Sequence, residues 1–399
     1  MVNEKAIWLF AGGIMQASIA KKILKLGYKL IITDLNPECY CSALADELIE
    51  CDTFDIKQNL EICNVIRNKY NIVGVVTVAA DCHETVAIIA KSLELPGIDP
   101  RIANICRFKH KTREILFNAG IQQPNFKVVG TFAEAISYIN QIGIPVVLKS
   151  TDNSGSRGFS LIQSLEQLTI EKFENALSNG TTKKVLIEEC LLPINDEISE
   201  QSVETLWLNG KMYWLNWVDR LFRDDFKFFK SLDDGIYDKI GWGVELGHIN
   251  PAVHSLSIKN NIEDQIRAAG NAIGMGKQKG GHFLKADIML TKKGPVIIEL
   301  TPRLSGGWDS GQSTPSRGAD FIGAALQMSI GEEVNLEFWM KYFNYKYPNL
   351  YSSVITRIKE NATDCIGRQF STGNDFDIEQ SLVKAINNLK KENYVIPME

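Results

Sequence analysis

The segment Ala286–Arg303 reads ADIMLTKKGPVIIELTPR. Two apolar runs flank the polar segment 291–294, a pattern typical of two antiparallel strands joined by a tight turn. Asp287 and Glu299 lie one on each run, so strand pairing would bring their carboxylates to one point. Such oxygen ligands suit Mg²⁺ bound to phosphates, and Arg303 could neutralise a transferred phosphoryl group. Taken alone, the same residues also fit two solvated strand ends with a surface ion pair.

Composition excludes several classes of protein. The chain has 399 residues, of which 45% are hydrophobic and 23% charged, enough for two or three domains around a large core. A formal net charge of -5 argues against a broad nucleic-acid surface. No apolar run approaches the roughly 18 residues that indicate a bilayer-spanning helix. The eight cysteines form no C-x-x-C pair and are predicted to be reduced thiols. We therefore expect a cytoplasmic protein with neither nucleic acid nor a membrane as partner.

The N-terminal part alternates strand-like and helix-like segments. The apolar run Ala6–Phe10 ends at the glycines 12–13, a helical pattern runs from Gln16 to Leu26, and buried-strand runs follow at 30–33 and 73–78. Such alternation predicts a parallel sheet. The glycine turn superficially resembles a dinucleotide fingerprint, but Gln16 fills the third glycine position of G-x-G-x-x-G. A nicotinamide-dependent oxidoreductase is therefore disfavoured, and a packing turn is the preferred interpretation.

Three further patterns follow along the chain. A strand ending at Lys149 precedes the small-residue loop Thr151–Gly158, whose backbone N–H groups could approach phosphates while Lys149 supplies positive charge. The loop lacks the spacing of a P-loop, so it would be a different phosphate-binding device. The strand 185–188 then runs into an acidic connector, and Asn209-Gly210 between two alternating runs predicts a hairpin.

The order of these patterns resembles one superfamily. A glycine turn, a lysine-bearing helix, the Lys149 strand with its glycine loop, an acidic connector, a hairpin and the Asp287, Glu299 and Arg303 set follow one another within residues 6–330. In this order the sequence resembles the ATP-grasp superfamily, in the branch of biotin carboxylase, carbamoyl phosphate synthetase and the L-amino acid ligases. No single pattern decides the resemblance; the ordered set does.

The resemblance implies an α/β fold that becomes α+β in the C-terminal part. It predicts an N-terminal parallel-sheet, Rossmann-like pre-ATP-grasp domain at residues 1–100. A two-lobed ATP-grasp domain would follow. Its small lid domain, with a linker helix, would occupy residues 101–190, and its large domain, with a C-terminal extension, residues 191–399.

The resemblance also implies the nucleotide and metal site. Lys109 and Lys149 would be the two ATP lysines, and Arg303 would steady the acyl phosphate as the catalytic residue. Mg²⁺ or Mn²⁺ would bind Asp287, Glu299 and Thr301; Thr301 stands where the family has Asn, which leaves one or two metals open. The other ATP-binding residues would be Asn153, Ser154, Gly155, Ser156 and Gly158 in the lid, Glu188, Glu189 and Leu191 along the adenine, and Glu200, or Glu197 instead, at the ribose.

The substrate-binding residues are implied less directly. The turn Ser305, Gly306 and Gly307 resembles the substrate-facing turn of amino acid ligases. Arg220 or Arg223 could bind a substrate carboxylate with two hydrogen bonds, although the same segment also fits an exposed amphipathic surface.

The reaction that the resemblance implies is ATP-dependent ligation. ATP would convert a carboxylate into an acyl phosphate, which an amine then attacks, with amino acids as the preferred substrates and ADP and phosphate as products. We expect ATP and Mg²⁺ as cofactors, small carboxylates and amines as partners, and a homodimer. The alternatives are a carboxylase-type member that uses bicarbonate and a nucleotide-binding protein with weak catalysis.

Overall fold

A computed structural model describes residues 4–153, 157–194, 198–222, 243, 245–306, 308–331, 336–359, 362–372 and 377–391. The N-terminal part is a parallel sheet with helices on both faces. Its strands stand in the order β3-β2-β1-β4. Their bounds, with those of the flanking helices, are β1 (Lys5–Phe10), α1 (Ala17–Lys25), β2 (Lys29–Asp34), β3 (Glu47–Glu50), α2 (Ile56–Lys69), β4 (Asn71–Val76) and α3 (His83–Ser92). The predicted parallel sheet is therefore present.

The glycine turn after β1 is a packing turn. A Cβ at Gly12 would lie 2.3 Å from the Cys39 sulfur, and the Gly12 N–H donates to Asp34 Oδ2 at 2.7 Å. Only glycine lets the backbone approach β2 this closely.

Two helices and a four-stranded antiparallel sheet follow. The predicted lysine-bearing helix begins at Lys109, because Phe108 adopts an extended conformation between two separate helices. The sheet has the order β5-β8-β6-β7. The elements are α4 (Pro100–Arg107), α5 (Lys109–Asn118), β5 (Phe126–Val129), α6 (Phe132–Ile142), β6 (Val146–Ser150), β7 (Ser160–Ile162), α7 (Ile170–Ser178) and β8 (Val185–Glu189).

The remaining described chain builds a seven-stranded antiparallel sheet in the order β13-β12-β9-β10-β11-β14-β15. Both predicted hairpins are present in it, as β9–β10 and β12–β13. The elements are β9 (Glu200–Leu208), β10 (Lys211–Phe222), β11 (Glu245–Asn250), α8 (Leu256–Ile273), β12 (Gly281–Thr291), β13 (Gly294–Thr301), α9 (Thr314–Ser316), α10 (Phe321–Ser329), α11 (Leu336–Phe343), β14 (Leu350–Lys359), β15 (Ala362–Thr372) and α12 (Ile378–Lys391).

The two faces of this sheet differ in polarity. Successive side chains of a strand point to opposite faces, so the alternating run 284–288 separates apolar from charged residues. Leu284, Ala286 and Ile288 join the core that packs against α8. Lys285 and Asp287 therefore share the opposite face, which carries the candidate site. No helix among the described residues is long and apolar enough to cross a membrane.

Candidate active site

The centre of the site is a block of four side chains on the β12–β13 hairpin. Asp287 pairs with Glu299, and Lys285 pairs with Thr301, one row further along. Asp287 is only 5% exposed. Its Oδ2 accepts from Lys285 Nζ at 2.6 Å and faces Arg220 Nη1 at 3.2 Å. Burial alone would raise the pKa of Asp287, but the two cations outweigh burial and hold the pKa below its ordinary value.

The second carboxylate oxygen of Asp287 is not paired with these cations. Its Oδ1 is buried and has no hydrogen-bond partner among the described residues. Leaving a buried carboxylate oxygen unpaired is costly, so the atom is suited to a cation that comes with a ligand. No group of three or more His, Cys, Asp or Glu in metal-binding geometry occurs in the described part of the chain. A metal held by Asp287 and Glu299 would therefore need oxygen atoms from a ligand.

Lys109 connects this hairpin to the lid loop. As the first residue of α5, it donates from Nζ both to Glu299 Oε1 and, at 2.9 Å, to the carbonyl of Asn153. Its own N–H donates to the carbonyl of Thr151 at 2.8 Å. Burial disfavours the ammonium, but Glu299 outweighs this effect and raises the pKa of Lys109. The predicted first ATP lysine thus reaches a predicted metal ligand.

The described ends of the lid loop are anchored on α7. Asn153 Nδ2 donates to the carbonyl of Asn179 at 2.7 Å. Gly158 has φ +73°, and a Cβ there would lie 2.9 Å from the Cβ of Asn179. Glycine is therefore required for both backbone conformation and space. The predicted phosphate-binding residues Ser154, Gly155 and Ser156 lie outside the described residues.

Lys149 is held by a buried ion network. Its Nζ lies 2.5 Å from Glu188 Oε2, while Arg113 Nε donates to Glu188 Oε1 at 2.6 Å. Arg113 also donates to the carbonyls of Ile297 at 2.8 Å and Ile298 at 2.9 Å on β13. The network therefore ties Lys149 on β6 to β8, to α5 and to the β12–β13 hairpin.

The network shifts the protonation of its members. Burial lowers the pKa of Lys149, with Arg113 and Lys109 adding to the effect and Glu188 opposing it. Burial would raise the pKa of Glu188, but Arg113 and Lys149 together lower it to about 2. The Glu188 carboxylate is thus paired with Arg113 and Lys149, and β8 is paired with a strand on each side at this residue. Glu188 therefore holds Lys149 in position. Its predicted place along the adenine stays a prediction.

The other predicted adenine and ribose residues lie on or after two strands, β8 and β9. The Glu189 N–H donates to the Asn125 carbonyl at 2.8 Å, and its carboxylate accepts from Asn125 Nδ2 at 2.9 Å. Leu191 lies two residues after the end of β8 and is half-buried. Glu200 begins β9 and accepts from Arg220 Nη1 at 2.6 Å. Glu197 lies outside the described residues.

Arg220 sits among three carboxylates. Besides Glu200 and Asp287, it contacts Glu245 Oε2, to which Nη2 donates at 2.7 Å and Nε at 3.1 Å. All three nitrogens of its guanidinium are therefore engaged by the protein. The predicted binding of a substrate carboxylate would require Arg220 to exchange one of these partners, and it stays a prediction. Arg223 lies outside the described residues.

Arg303 bridges the hairpin and the N-terminal part. Its Nη2 donates to Asp81, just after β4, and its Nη1 donates to the carbonyl of Leu304 at 2.7 Å. Its Nε is buried with no hydrogen-bond partner among the described residues. Burial lowers the pKa of Arg303, but Asp81 and Glu299 outweigh it and raise the pKa above its ordinary value. The guanidinium is thus a permanent positive charge beside the carboxylate pair.

The turn after Arg303 borders a cavity. The Ser305 N–H donates to Glu204 Oε1 at 2.7 Å, and Gly306 lies on the wall opposite α1. The cavity between them has a volume of about 710 Å³, with Lys21 and Trp308 on its lining. Gly307 lies outside the described residues. Small-molecule pockets typically measure ~300–1,000 Å³, so the cavity could hold a substrate.

Sequence reasoning missed several residues that organise the site. Arg113, Lys285 and Asp81 were not singled out, although each contacts a residue that was. The charged positions of the alternating run 284–288 could have identified Lys285, because i and i+2 side chains share a face of a strand. Nothing local marks Arg113 or Asp81, whose partners lie far along the chain.

Comparisons with known proteins identify the fold. No family model matches the chain. The L-amino acid ligase of Bacillus licheniformis covers 90% of this chain with 82% of its own, at a TM-score of 0.69 and 17% identity. The ADP complex of purK, N5-carboxyaminoimidazole ribonucleotide synthetase, has a TM-score of 0.69 and 14% identity over 98% of this chain and 97% of its own. The chain therefore has the ATP-grasp fold, and the predicted fold class is confirmed.

A curated relative is similar over most of this chain. The uncharacterized protein y4rH of Sinorhizobium fredii is 24% identical over 338 residues, which make up 80% of this chain. The match spans 62% of the length of y4rH, less than two thirds.

Proposed function

We propose that this ATP-grasp chain is an ATP- and Mg²⁺-dependent ligase that activates a carboxylate as an acyl phosphate for attack by an amine, with amino acids as substrates. The observation that carries the proposal is that Lys109 and Arg303 converge on the carboxylate pair of Glu299 and Asp287. Lys109 on α5 contacts Glu299, which pairs with Asp287 across the β12–β13 hairpin. Arg303 follows β13, and Asp287 Oδ1 has no hydrogen-bond partner among the described residues. Such a constellation suits phosphates and a divalent cation.

The residues present fit a nucleotide-bound magnesium ion. Asp287 Oδ1 and Glu299 would hold the ion, with the Thr301 hydroxyl on the same face of the hairpin. When bound, the ion would neutralise charge on the phosphates of the nucleotide. Lys109 and Lys149 add positive charge from two further directions, and each is already held by a carboxylate.

The chemistry explains why a ligase needs this arrangement. A carboxylate repels a nucleophile and carries a poor leaving group, and phosphorylation removes both obstacles. The protein has then mainly to place charges where they develop and to keep water from the intermediate. Arg303, fixed by Asp81 and the Leu304 carbonyl, would stabilise the negative charge of the acyl phosphate.

The cavity beside Gly306 supports the proposal that the substrate is a small molecule. It adjoins the turn that follows Arg303, and Lys21 contributes positive charge to its rim. The same fold serves an L-amino acid ligase in Bacillus licheniformis. Amino acids are therefore the first substrates to test.

A screen of amino acid pairs tests the proposal. Purified protein is incubated with ATP, Mg²⁺ and each pair, and ADP release is measured before mass spectrometry of the products. We expect at least one pair to raise ADP release and to yield a condensation product. If no amino acid or small carboxylic acid raises Mg²⁺-dependent ADP release, the ligase proposal fails.

A carboxylase-type reaction is the second candidate. The similarity to purK, which extends over 98% of this chain, supports it. ADP release that depends on bicarbonate and needs no amine would favour this reaction over ligation.

A further inference from the structure

Lys285 occupies a position next to the candidate metal ligands. It lies two residues before Asp287 on β12 and opposite Thr301 on β13. Because i and i+2 side chains share one face, Lys285, Asp287, Glu299 and Thr301 form a block of two rows. One row is carboxylate–carboxylate, and the other is ammonium–hydroxyl. The row of two carboxylates therefore lies directly next to the row that carries the Lys285 ammonium.

The two oxygens of Asp287 are used differently. Oδ2 receives Lys285 Nζ at 2.6 Å and Arg220 Nη1 at 3.2 Å, and both cations are largely buried. Oδ1 receives nothing within the described part of the chain. One side of the carboxylate is thus neutralised by the protein, while the other side remains available.

A second divalent ion would meet two obstacles in the Lys285 row. Among the described side chains of this row, Lys285 and Thr301, only the Thr301 hydroxyl offers a neutral oxygen, whereas Mg²⁺ demands a near-ideal octahedron of oxygen ligands. An ion in this row would also stand beside a buried ammonium, and like charges repel strongly where water is excluded. To bind, it would have to displace Lys285 from Asp287 Oδ2.

We propose that the site binds a single divalent cation through Asp287 Oδ1 and Glu299, and that the Lys285 ammonium takes the place of a second ion. This inference rests on the proposed function, because the remaining oxygen ligands would come from the nucleotide. Lys285 then contributes positive charge to the phosphates without any metal in its row.

Counting bound Mn²⁺ tests the inference without measuring turnover. The full-length protein is saturated with ADP, Mn²⁺ is added, and free and bound Mn²⁺ are separated by electron paramagnetic resonance. We expect one Mn²⁺ per chain and no Mn–Mn spin coupling. Lys285→Gln replaces the ammonium with a neutral amide oxygen, and we expect it to bind a second Mn²⁺ with a broadened, spin-coupled spectrum.

A control and a second variant make the outcomes decisive. Lys292→Gln removes an exposed lysine from the turn of the same hairpin and should leave one Mn²⁺ bound. Lys285→Arg keeps the positive charge and should also bind one. Two Mn²⁺ per wild-type chain would overturn the inference even if Lys285→Gln fails to fold, and so would one Mn²⁺ on folded Lys285→Gln. Absence of ADP binding, measured separately by equilibrium dialysis, would overturn the proposed function and this inference with it.

Discussion

Lys109, Lys149 and Arg303 are each held by a carboxylate from another part of the chain. Their partners are Glu299, Glu188 and Asp81, respectively. Long side chains lose conformational entropy when they bind a ligand, and this loss is smaller when they are already fixed. These ion pairs therefore fix the positions of all three cations within the protein.

The role of Arg303 can be separated from nucleotide binding. We expect Arg303→Ala to lower kcat by about 100- to 1,000-fold, the effect of removing one group that stabilises charge in the transition state. The affinity for ADP should change far less. Steady-state kinetics with a substrate pair and calorimetric titration with ADP measure the two effects. Equal losses in kcat and in ADP affinity would remove the proposed transition-state role.

We expect Lys149 to contribute to the binding of ATP. Replacing it with Met in Lys149→Met removes one charge-assisted contact, which is worth about 1.5–3 kcal/mol and corresponds to at least about tenfold weaker ATP binding. Glu188 would still be paired with Arg113. Lys184→Met, at an exposed lysine of the same sheet region, serves as the control in the same titration. An unchanged affinity in Lys149→Met would exclude Lys149 from the nucleotide site.

Individual residues could be predicted where strand register or spacing determined their position. The opposition of Asp287 and Glu299 followed from the hairpin pattern and is confirmed. Arg113 could not be found in this way, because it lies on helix α5 and its partner Glu188 lies on strand β8, 75 residues away. Contacts of this kind depend on how sheets pack, which no local pattern encodes.

The hairpins are the elements that the sequence specified most fully. Asn209 and Gly210 both have positive φ, 49° and 79°, as the tight turn between β9 and β10 requires. Gly294 closes the β12–β13 hairpin with φ 108°. The boundary between α4 and α5 was less predictable, because the extended conformation of a single residue, Phe108, separates two helical patterns.

The two turn glycines should differ in their tolerance of alanine. A Cβ at Gly294 meets nothing within 4 Å, so Gly294→Ala should cost only the strain of positive φ, about 1–2 kcal/mol. A Cβ at Gly210 would lie 2.3 Å from the Gly276 carbonyl oxygen. Gly210→Ala should therefore cost about 1–3 kcal/mol more, since backbone must move. Denaturant unfolding of the two variants measures this difference, and equal costs would contradict the turn geometry.

The ion network around Glu188 should make the free energy of unfolding depend on pH in the acidic range. The folded-state pKa of Glu188, about 2, lies below its ordinary value of 4.5. Its contribution is therefore complete above pH 4.5 and is lost as the pH falls toward 2. At neutral pH we expect Glu188→Gln to lower the free energy of unfolding by about 3–5 kcal/mol, the cost of breaking a buried ion pair.

The difference between wild type and Glu188→Gln should shrink as the pH falls from 4.5 toward 2. Denaturant unfolding at a series of pH values measures it. Glu171→Gln, at an exposed glutamate on α7, should show little difference from wild type. A difference between wild type and Glu188→Gln that does not change with pH would exclude the ion network as its source.

At the scale of the whole molecule, all three sheets contribute to one site. The segment that follows β4 of the parallel sheet supplies Asp81, the small sheet supplies Lys149, and the large sheet supplies the β12–β13 hairpin. Arg113 joins the last two, since it contacts both Glu188 and the carbonyls of β13. The order of these parts along the chain was sufficient to predict the ATP-grasp fold. The domain bounds at residues 100 and 190 stay predictions, as does a homodimer.

We propose that the chain joins a carboxylate to an amine and converts ATP to ADP and phosphate. The most direct measurement is ADP release with ATP, Mg²⁺ and pairs of amino acids, followed by the mass of the product. We expect a productive pair to raise ADP release and to give a product whose mass is the sum of the two amino acids less one water. Mg²⁺-dependent ADP release that no amino acid or small carboxylic acid raises, or that bicarbonate alone raises, would contradict this proposal.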